Sequence, residues 1–529
     1  MGRVPAALFL ALAPPAFGLI TLALPMDANW DLRNYHYYNA YAFLAGREGH
    51  DLLVAQLPTF FNPLIDLPFF LATQAWPARL VGFALGTVQG LNMLPLYGIS
   101  HAVLRVAPVE RRRLVAAALS LLGMTGAGAL SELGTTFYDN VVSLGPLAAL
   151  WLVLRDHTAL RSVPLRAAWP PLVVAGLISG IAIGLKEPVV TFVAGLCLAF
   201  LFTPARPARR LALALLFGAG AALGMAASSG FWMLHLWRAY GNPIFPFYNE
   251  IFRSPWALAR DYRDVFYIPG SLLVRIFFPF AYLVDPRLTG DADFRDLRIL
   301  ACFVLIPLAG LAALLRGSRP AESSPALSAM AETRYLLTAF AIGYVVWVLL
   351  FCIYRYLVVY EMLAPLAILL SIGLLPLRPR ARALAAGVMI ALVVATAEPA
   401  DWGRIPWTEK WVMATPPKLA DPDRTLVLIT GHEPLSYLIP FFSPGVRFLR
   451  IHSGFTGPYE PTVQFNVEMH RIVGEHRGPR YVLYNPNEAR FAEEHLEAYG
   501  LIIDRTACQS VPSNIGYLPY LFCALRPEG

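Results

Sequence analysis

The stretch "WPPLVVAGLISGIAIGLKEPVVTFVAGLCLAFLFTPARPARR" (Trp169–Arg210) decides how this chain is organised. Two apolar runs, 169–185 and 188–204, are separated only by Lys186, Glu187 and Pro188, and a basic cluster at 206–210 closes the second. Each run approaches the roughly 20 apolar residues that a helix needs to cross a bilayer. So short a break predicts a tight reversal or a broken helix. The arginines mark the opposite side from Lys186.

The composition extends this reading to most of the chain. Of 529 residues, 57% are hydrophobic and 15% are charged, and the mean hydropathy is +0.54. Soluble domains carry about 25% charged residues. The net charge of +7 would cluster on a polar face in a nucleic-acid binder. Here the arginines stand in short runs between apolar segments, so the charge reads as topology and no nucleic-acid partner is expected. The five cysteines have no CxxC-type spacing, which argues against a zinc site. The apolar N-terminus lacks a clear cleavage site and reads as a retained first span.

About eleven spans are predicted, near 5–25, 78–104, 114–131, 141–155, 169–185, 188–204, 211–236, 298–315, 335–353, 357–376 and 383–397. When they are walked in order, the basic runs at 105–113, 155–166, 206–210, 316–320 and 378–382 fall on one side. By the positive-inside rule that side is the cytoplasm, with the N-terminus cytoplasmic and the C-terminal domain extracytoplasmic or periplasmic, in an inner (plasma) membrane. The outer loops are then 26–77, "SELGTTFYDN" (131–140), Lys186–Pro188, 237–297 and "YRY" (354–356). Loops 26–77 and 237–297 are aromatic and apolar but broken by Pro, Asn and Asp, as expected of interfacial helices or re-entrant pieces.

The fold class expected is therefore an α-helical polytopic membrane domain over 1–397, followed by a small extracytoplasmic α/β domain over 398–529. In the tail, 425–430, 447–452 and 480–485 read as buried strands, and 486–500 as a helix ending at Gly500. Cys508 and Cys523 both fall there, where an oxidising compartment would permit a disulfide.

The candidate chemistry lies on the predicted outer face. Asp27 and Asp31 follow the first span, four residues apart, which would place both on one helix face. Trp30, Tyr35 and His36 surround them and could wall a sugar ring, and a carboxylate in an apolar setting makes a better base near neutral pH. Glu132 and Asp139 end another span as supporting acids. With the first pair they could offer oxygen ligands to a divalent cation such as Mg or Mn. Lys186 and Arg355 suit an anion such as a phosphate. Glu361, inside an apolar run, is an ion-pair candidate for either cation. Arg260 and Arg263, near Arg253, Asp261 and Asp264, form either a charged interfacial helix or a contact for a polyanionic acceptor.

In arrangement the chain resembles the GT-C class of integral-membrane glycosyltransferases, the kind with polyprenyl-phosphate-linked sugar donors (families 39, 83 and 87). The resemblance covers about residues 1–397. It rests on Asp27 or Asp31 just after span one, the interfacial-looking "NYHYYNAYAFLAG", the acidic "SELGTTFYDN", the segment "GLISGIAIGLKEP" ending in Lys186, and "YRYLVVYEMLAP" with Arg355, Tyr356 and Pro365. Asp27 and Asp31 are spaced rather than tandem, and Glu187 after the lysine departs from the pattern. The resemblance implies a catalytic carboxylate, Asp31 ahead of Asp27, with Lys186 and Arg355 on the donor phosphate. It also implies a lipid or glycan acceptor and inversion at the anomeric carbon. A transporter or flippase for a lipid-linked glycan and a non-catalytic membrane scaffold are the alternatives.

Overall fold

The computed structural model describes residues 3–290, 292–316, 329–455 and 457–528. Beyond Arg316, the basic run at 316–320 lies outside the described residues. Seven helices are long and apolar enough to cross a membrane: Pro5–Ala23, Ala78–Val103, Leu165–Leu185, Pro207–Tyr240, Arg298–Leu315, Met330–Leu350 and Tyr354–Leu374. The expectation of about eleven is not met by length and composition. The segments expected at 114–131, 188–204 and 383–397 are helical, but Val109–Gly123 has 15 residues, Glu187–Phe202 is a shorter apolar helix and Pro379–Ala395 has 17. At about 1.5 Å per residue these fall short of a hydrocarbon core of roughly 30 Å. The segment expected at 141–155 is a 19-residue helix, Leu144–Ser162, which runs on through Arg155, Asp156 and Arg161.

The chain divides into two compact units. The first comprises Met1–Leu24, Phe83–Gly230 and Asp264–Trp402, and the second Pro25–Gly82, Phe231–Arg263 and Gly403–Gly529. The division is therefore discontinuous, where the sequence reading cuts the chain once at 397/398.

In the first unit, the quoted glycine run packs a helix. Gly176, Gly180 and Gly184 recur every four residues along Leu165–Leu185. A Cβ on Gly176 would lie 2.1 Å from the Phe217 carbonyl oxygen, and one on Gly180 1.9 Å from that of Ala221. Gly220 and Gly224 answer from Pro207–Tyr240, with Val173 and Leu177 oxygens 2.3 and 2.0 Å from their would-be Cβ positions. Small residues at this spacing let two apolar helices approach backbone to backbone, which is how helices associate without a hydrophobic driving force.

The second unit is built on a five-stranded sheet. The strands β1 (Met26–Asp27) and β2 (Arg404–Ile405) form a separate antiparallel pair. The main sheet holds β3 (Leu426–Ile429), β4 (Arg447–Arg450), β5 (Arg480–Tyr484), β6 (Leu501–Val511) and β7 (Tyr520–Pro527), in the order β4-β3-β5-β7-β6. The first three are parallel and β7 runs antiparallel between β5 and β6. The expected strands at 425–430, 447–452 and 480–485 are β3, β4 and β5. The expected helix is Ala489–Glu497. Cys508 and Cys523 face each other across β6 and β7 and are joined by a disulfide.

Residues from both aromatic loops complete the core of this unit. Leu53, Phe60, Phe245 and Tyr262 pack with Leu428, Phe455 and Phe465. Phe60 meets Phe245 edge-on at 4.7 Å between ring centres. Residues 47–54 also cover the outer edge of β4, with Leu52 N–H donating to Phe448 O and Arg450 N–H to Leu52 O. Arg47 pairs with Asp51 at 2.7 Å, and Asp51 accepts from Phe448 N–H. An exposed edge left open would offer unpaired amides to another chain.

Arg450 is wholly buried and donates to three carbonyls, those of Val54 at 3.0 Å, Gly431 at 2.7 Å and Glu433 at 3.0 Å. Arg450→Ala leaves these acceptors without partners, each costing about 1–3 kcal/mol. We expect the variant to lose at least ~3 kcal/mol of stability in this unit, read as a lower midpoint in denaturant unfolding followed by tryptophan fluorescence.

His452 stacks on His495 at 3.7 Å and meets His432 at 5.1 Å. Burial, reinforced by the two histidines and Arg450, pulls its pKa down to about 4. A histidine whose folded pKa lies below its unfolded value of about 6.5 contributes stability above pH 6.5 that is lost as pH falls toward 4. The thermal midpoint should therefore fall between pH 6.5 and pH 4, and less steeply in His452→Phe, when melting is followed across that range.

Candidate functional site

In the first unit, the loop 132–138 is shaped from below. Gln89 donates to the carbonyls of Glu132 and Thr135 at 3.1 and 3.2 Å and accepts from Gly134 N–H at 2.6 Å. Asn92 donates to Asn140 O. These side chains satisfy backbone groups that an apolar surrounding would otherwise leave unpaired. Upstream, Glu361 accepts from the N–H groups of Gly128 and Ala129 at 3.0 and 2.9 Å, and from the Tyr354 hydroxyl at 3.0 Å. Asp296 accepts from Ala127 N–H at 2.8 Å. Two carboxylates thus serve the orphan amides at the start of the short helix Ala127–Ser131. Glu361 was a candidate partner of Arg355 or Lys186, but the charge beside it is Arg298, which pairs with Asp296 at 3.6 Å. Its buried position is explained by the capping.

The cations meet at Asp139. Lys186 ends the glycine-packed helix in extended conformation and donates to Asp139 Oδ2 at 2.6 Å and to the Phe137 carbonyl. Arg355, in the single turn Tyr354–Leu357, places Nη1 3.9 Å from the same oxygen. Its guanidinium lies 4.0 Å over the Phe137 ring and 5.6 Å from that of Trp402, and Tyr356 is 5.9 Å from both cations. Aromatic faces around a cation favour its charge while excluding water.

Glu132 stands beside this group, fully buried, with neither carboxyl oxygen hydrogen-bonded. Burial, reinforced by Asp139 and opposed by Lys186 and Arg355, pushes its pKa well above the ordinary carboxylate range. Two cations thus converge on Asp139, and such a pair of cations suits an anion.

Asp27, Trp30, Asp31, Tyr35 and His36 lie in the second unit. Asp27 and Asp31 do not share a helix face. Asp27 belongs to β1, and its carboxylate binds Asn29 through the backbone N–H at 3.1 Å and the side-chain amide at 2.9 Å. Asn29 in turn accepts from Leu32 N–H at 2.7 Å. Asp27 is therefore committed to a turn that precedes the helical segment, the physical reason the four-residue spacing does not act as helical spacing. Asp31 is half-buried and accepts from the Tyr35 hydroxyl at 3.3 Å. His36 Nδ1 lies 2.6 Å from Asp66 Oδ1, with both groups buried. Trp30 is 41% exposed. The segment Leu32–His36 is a π-helical turn, a widened geometry found often at functional sites.

Arg263 pairs with Asp261 at 2.8 Å and lies over Tyr248, and Arg260 lies over Tyr262. Among the described residues, no three His, Cys, Asp or Glu side chains gather as a metal-ligand set. Sequence reasoning missed Asp66 and Asp296, whose partners are 30 and 169 residues away. Asp296 carried one signal, a charged "DLR" at the start of an apolar helix.

Compared with known proteins, the chain matches no family model, no curated protein and no solved structure.

Asp139→Asn removes the charge that two largely buried cations share. Breaking such a group by deleting one partner costs about 3–5 kcal/mol. The variant should melt at lower temperature than wild type, and added inorganic phosphate should raise its midpoint more than it raises that of wild type. Equal midpoints without phosphate would show that Asp139 does not hold the pair.

Proposed function

We propose that the chain is a membrane glycosyltransferase of GT-C-like type, moving a sugar from a polyprenyl-phosphate donor to a lipid, glycan or other acceptor hydroxyl. The observation that carries the reading is the convergence of Lys186 and Arg355 on Asp139, walled by Phe137 and Trp402. A cationic group at the ends of apolar helices suits a phosphate whose lipid tail remains in hydrocarbon. The topology proposed is the eleven-span one, seven long helices and four shorter or more charged, in an inner or plasma membrane. It places this group and the C-terminal domain on the extracytoplasmic side.

The chemistry is a single displacement. The acceptor oxygen forms a bond to the anomeric carbon while the carbon–oxygen bond to the phosphate breaks. The electron pair leaves with the lipid phosphate, and the acceptor proton passes to a carboxylate. Inversion follows from one displacement. Lys186 and Arg355 stabilise the charge that grows on the departing phosphate. The base role falls to Asp31 ahead of Asp27 as the family resemblance implies, Asp27 being engaged by its turn. Trp30, Tyr35 and His36 are proposed as sugar contacts and Arg260 and Arg263 as acceptor contacts. Glu132 and Asp139 shape the charge around the phosphate. A divalent cation such as Mg or Mn, if bound with the donor, would add positive charge at its phosphate.

The test is transfer by the purified chain from polyprenyl-phosphate sugars to candidate acceptors. Lys186→Ala and Arg355→Ala should each lower kcat by about 10²–10³-fold, the usual loss when one stabiliser of developing charge is removed. Asp31→Asn should abolish transfer while leaving donor binding. Unchanged rates in all three variants would sink the assignment. Donor binding by wild type with no transfer to any acceptor, but with movement of the donor across vesicles, would favour the flippase alternative.

A further inference from the structure

The first unit holds an apolar cavity of about 340 Å³ that the transfer chemistry does not use. Its walls are the helices Arg298–Arg316 and Met330–Leu350, through Phe303, Val345 and Leu349 among others, and the short helix Leu272–Ile276. The last belongs to the aromatic "SLLVRIFFPFAYLV" segment and buries none of its residues. Leu272 is 70% exposed, and Val345 and Leu349 are 53% exposed. The cavity is thus open on a side where both long walls are membrane-spanning in length and composition. Hydrocarbon, not water, is the medium such a side meets.

Two polar groups interrupt this apolar lining. Among the described residues, Arg275 is the charged residue that lines it. It donates through Nε and Nη2 to the Pro269 carbonyl at 3.2 and 2.8 Å, which leaves Nη1 without a partner among the described residues. Tyr344, 9% exposed, also lines the cavity, and its hydroxyl has no hydrogen-bond partner among the described residues. A buried hydroxyl without a partner costs free energy that a ligand acceptor would recover.

We propose that this cavity binds one glycerophospholipid of the bilayer with an anionic headgroup. An acyl chain fills the apolar space, the phosphate meets Arg275 and an ester carbonyl accepts from the Tyr344 hydroxyl. The ester selects the occupant. A polyprenyl phosphate also has a tail and a phosphate, but no oxygen below the phosphate for Tyr344 to bond. The proposal is independent of the transferase reading, because it uses neither Lys186 nor Arg355.

The test is native mass spectrometry of the purified full-length chain, delipidated in detergent and titrated with dioleoyl phosphatidylglycerol, dioleoylglycerol or polyprenyl phosphate. Wild type should take up one phosphatidylglycerol. Arg275→Gln should weaken phosphatidylglycerol about fivefold, as expected for one cation near a lipid headgroup, without changing dioleoylglycerol. Tyr344→Phe should weaken both ester lipids and leave polyprenyl phosphate unchanged. Ala341→Trp should block all three by filling the cavity. If that variant fails to fold, Arg275→Gln and Tyr344→Phe still decide. Equal phosphatidylglycerol uptake by wild type and these variants would overturn the proposal as adventitious belt lipid. Stronger binding of polyprenyl phosphate than of phosphatidylglycerol, insensitive to Tyr344→Phe, would overturn it in favour of the donor lipid. Neither outcome bears on transfer by Lys186 and Arg355.

Discussion

The carboxylate of Asp139 holds Lys186 and Arg355 at one place in a largely apolar unit. Much of that unit follows from the need to make this tolerable. A charge removed from water must be paired, and each backbone group near it must find a partner. Gln89 and Asn92 supply those partners to the loop carrying Asp139, and Glu361 and Asp296 supply them to the helix before it. The glycine seam between Leu165–Leu185 and Pro207–Tyr240 sets where the first helix ends, and so where Lys186 stands. Removing any of these supports would leave polar groups stranded where solvent cannot repair the loss.

The second unit meets the same constraint in another way. Its sheet carries an edge strand, and residues 47–54 cover it with backbone hydrogen bonds and the Arg47–Asp51 pair. Arg450 gathers three carbonyls that would otherwise face the interior unpaired. The aromatic residues of two distant loops then close the core around Phe60 and Phe465. The stretches 52–60 and 245–262 of these loops are apolar because they belong to a core. Their sequence has the same look as an interfacial membrane segment, since both settings reward aromatic surface broken by prolines.

The glycines of "GLISGIAIGLKEP" carry their spacing openly, and so does the lysine that follows. The strand β3 is wholly Leu, Val and Ile, and β4 and β5 carry short apolar and aromatic runs, so all three could be read without a structure. The long strands β6 and β7 could not, because exposed and buried positions are mixed along them and the disulfide ties them laterally. Asp27 and Asp31 looked equivalent by spacing. They differ because β1 pairs with β2, Asp27 lying opposite Arg404 from the far end of the chain, and this pairing draws Asp27 into a turn.

By itself the sequence determined that the chain carries helices long and apolar enough to cross a membrane, that its tail contains alternating strands and helices, and which cations and carboxylates were candidates. Those are properties of local composition and period, legible because a bilayer demands long apolar runs. Only the tertiary structure decided that Asp139 is the shared partner of Lys186 and Arg355, that Glu361 caps a helix, and that the aromatic loops join the tail in one core. Each of these is a contact between residues far apart in the chain, and the free energy of such a contact depends on what else is buried beside it.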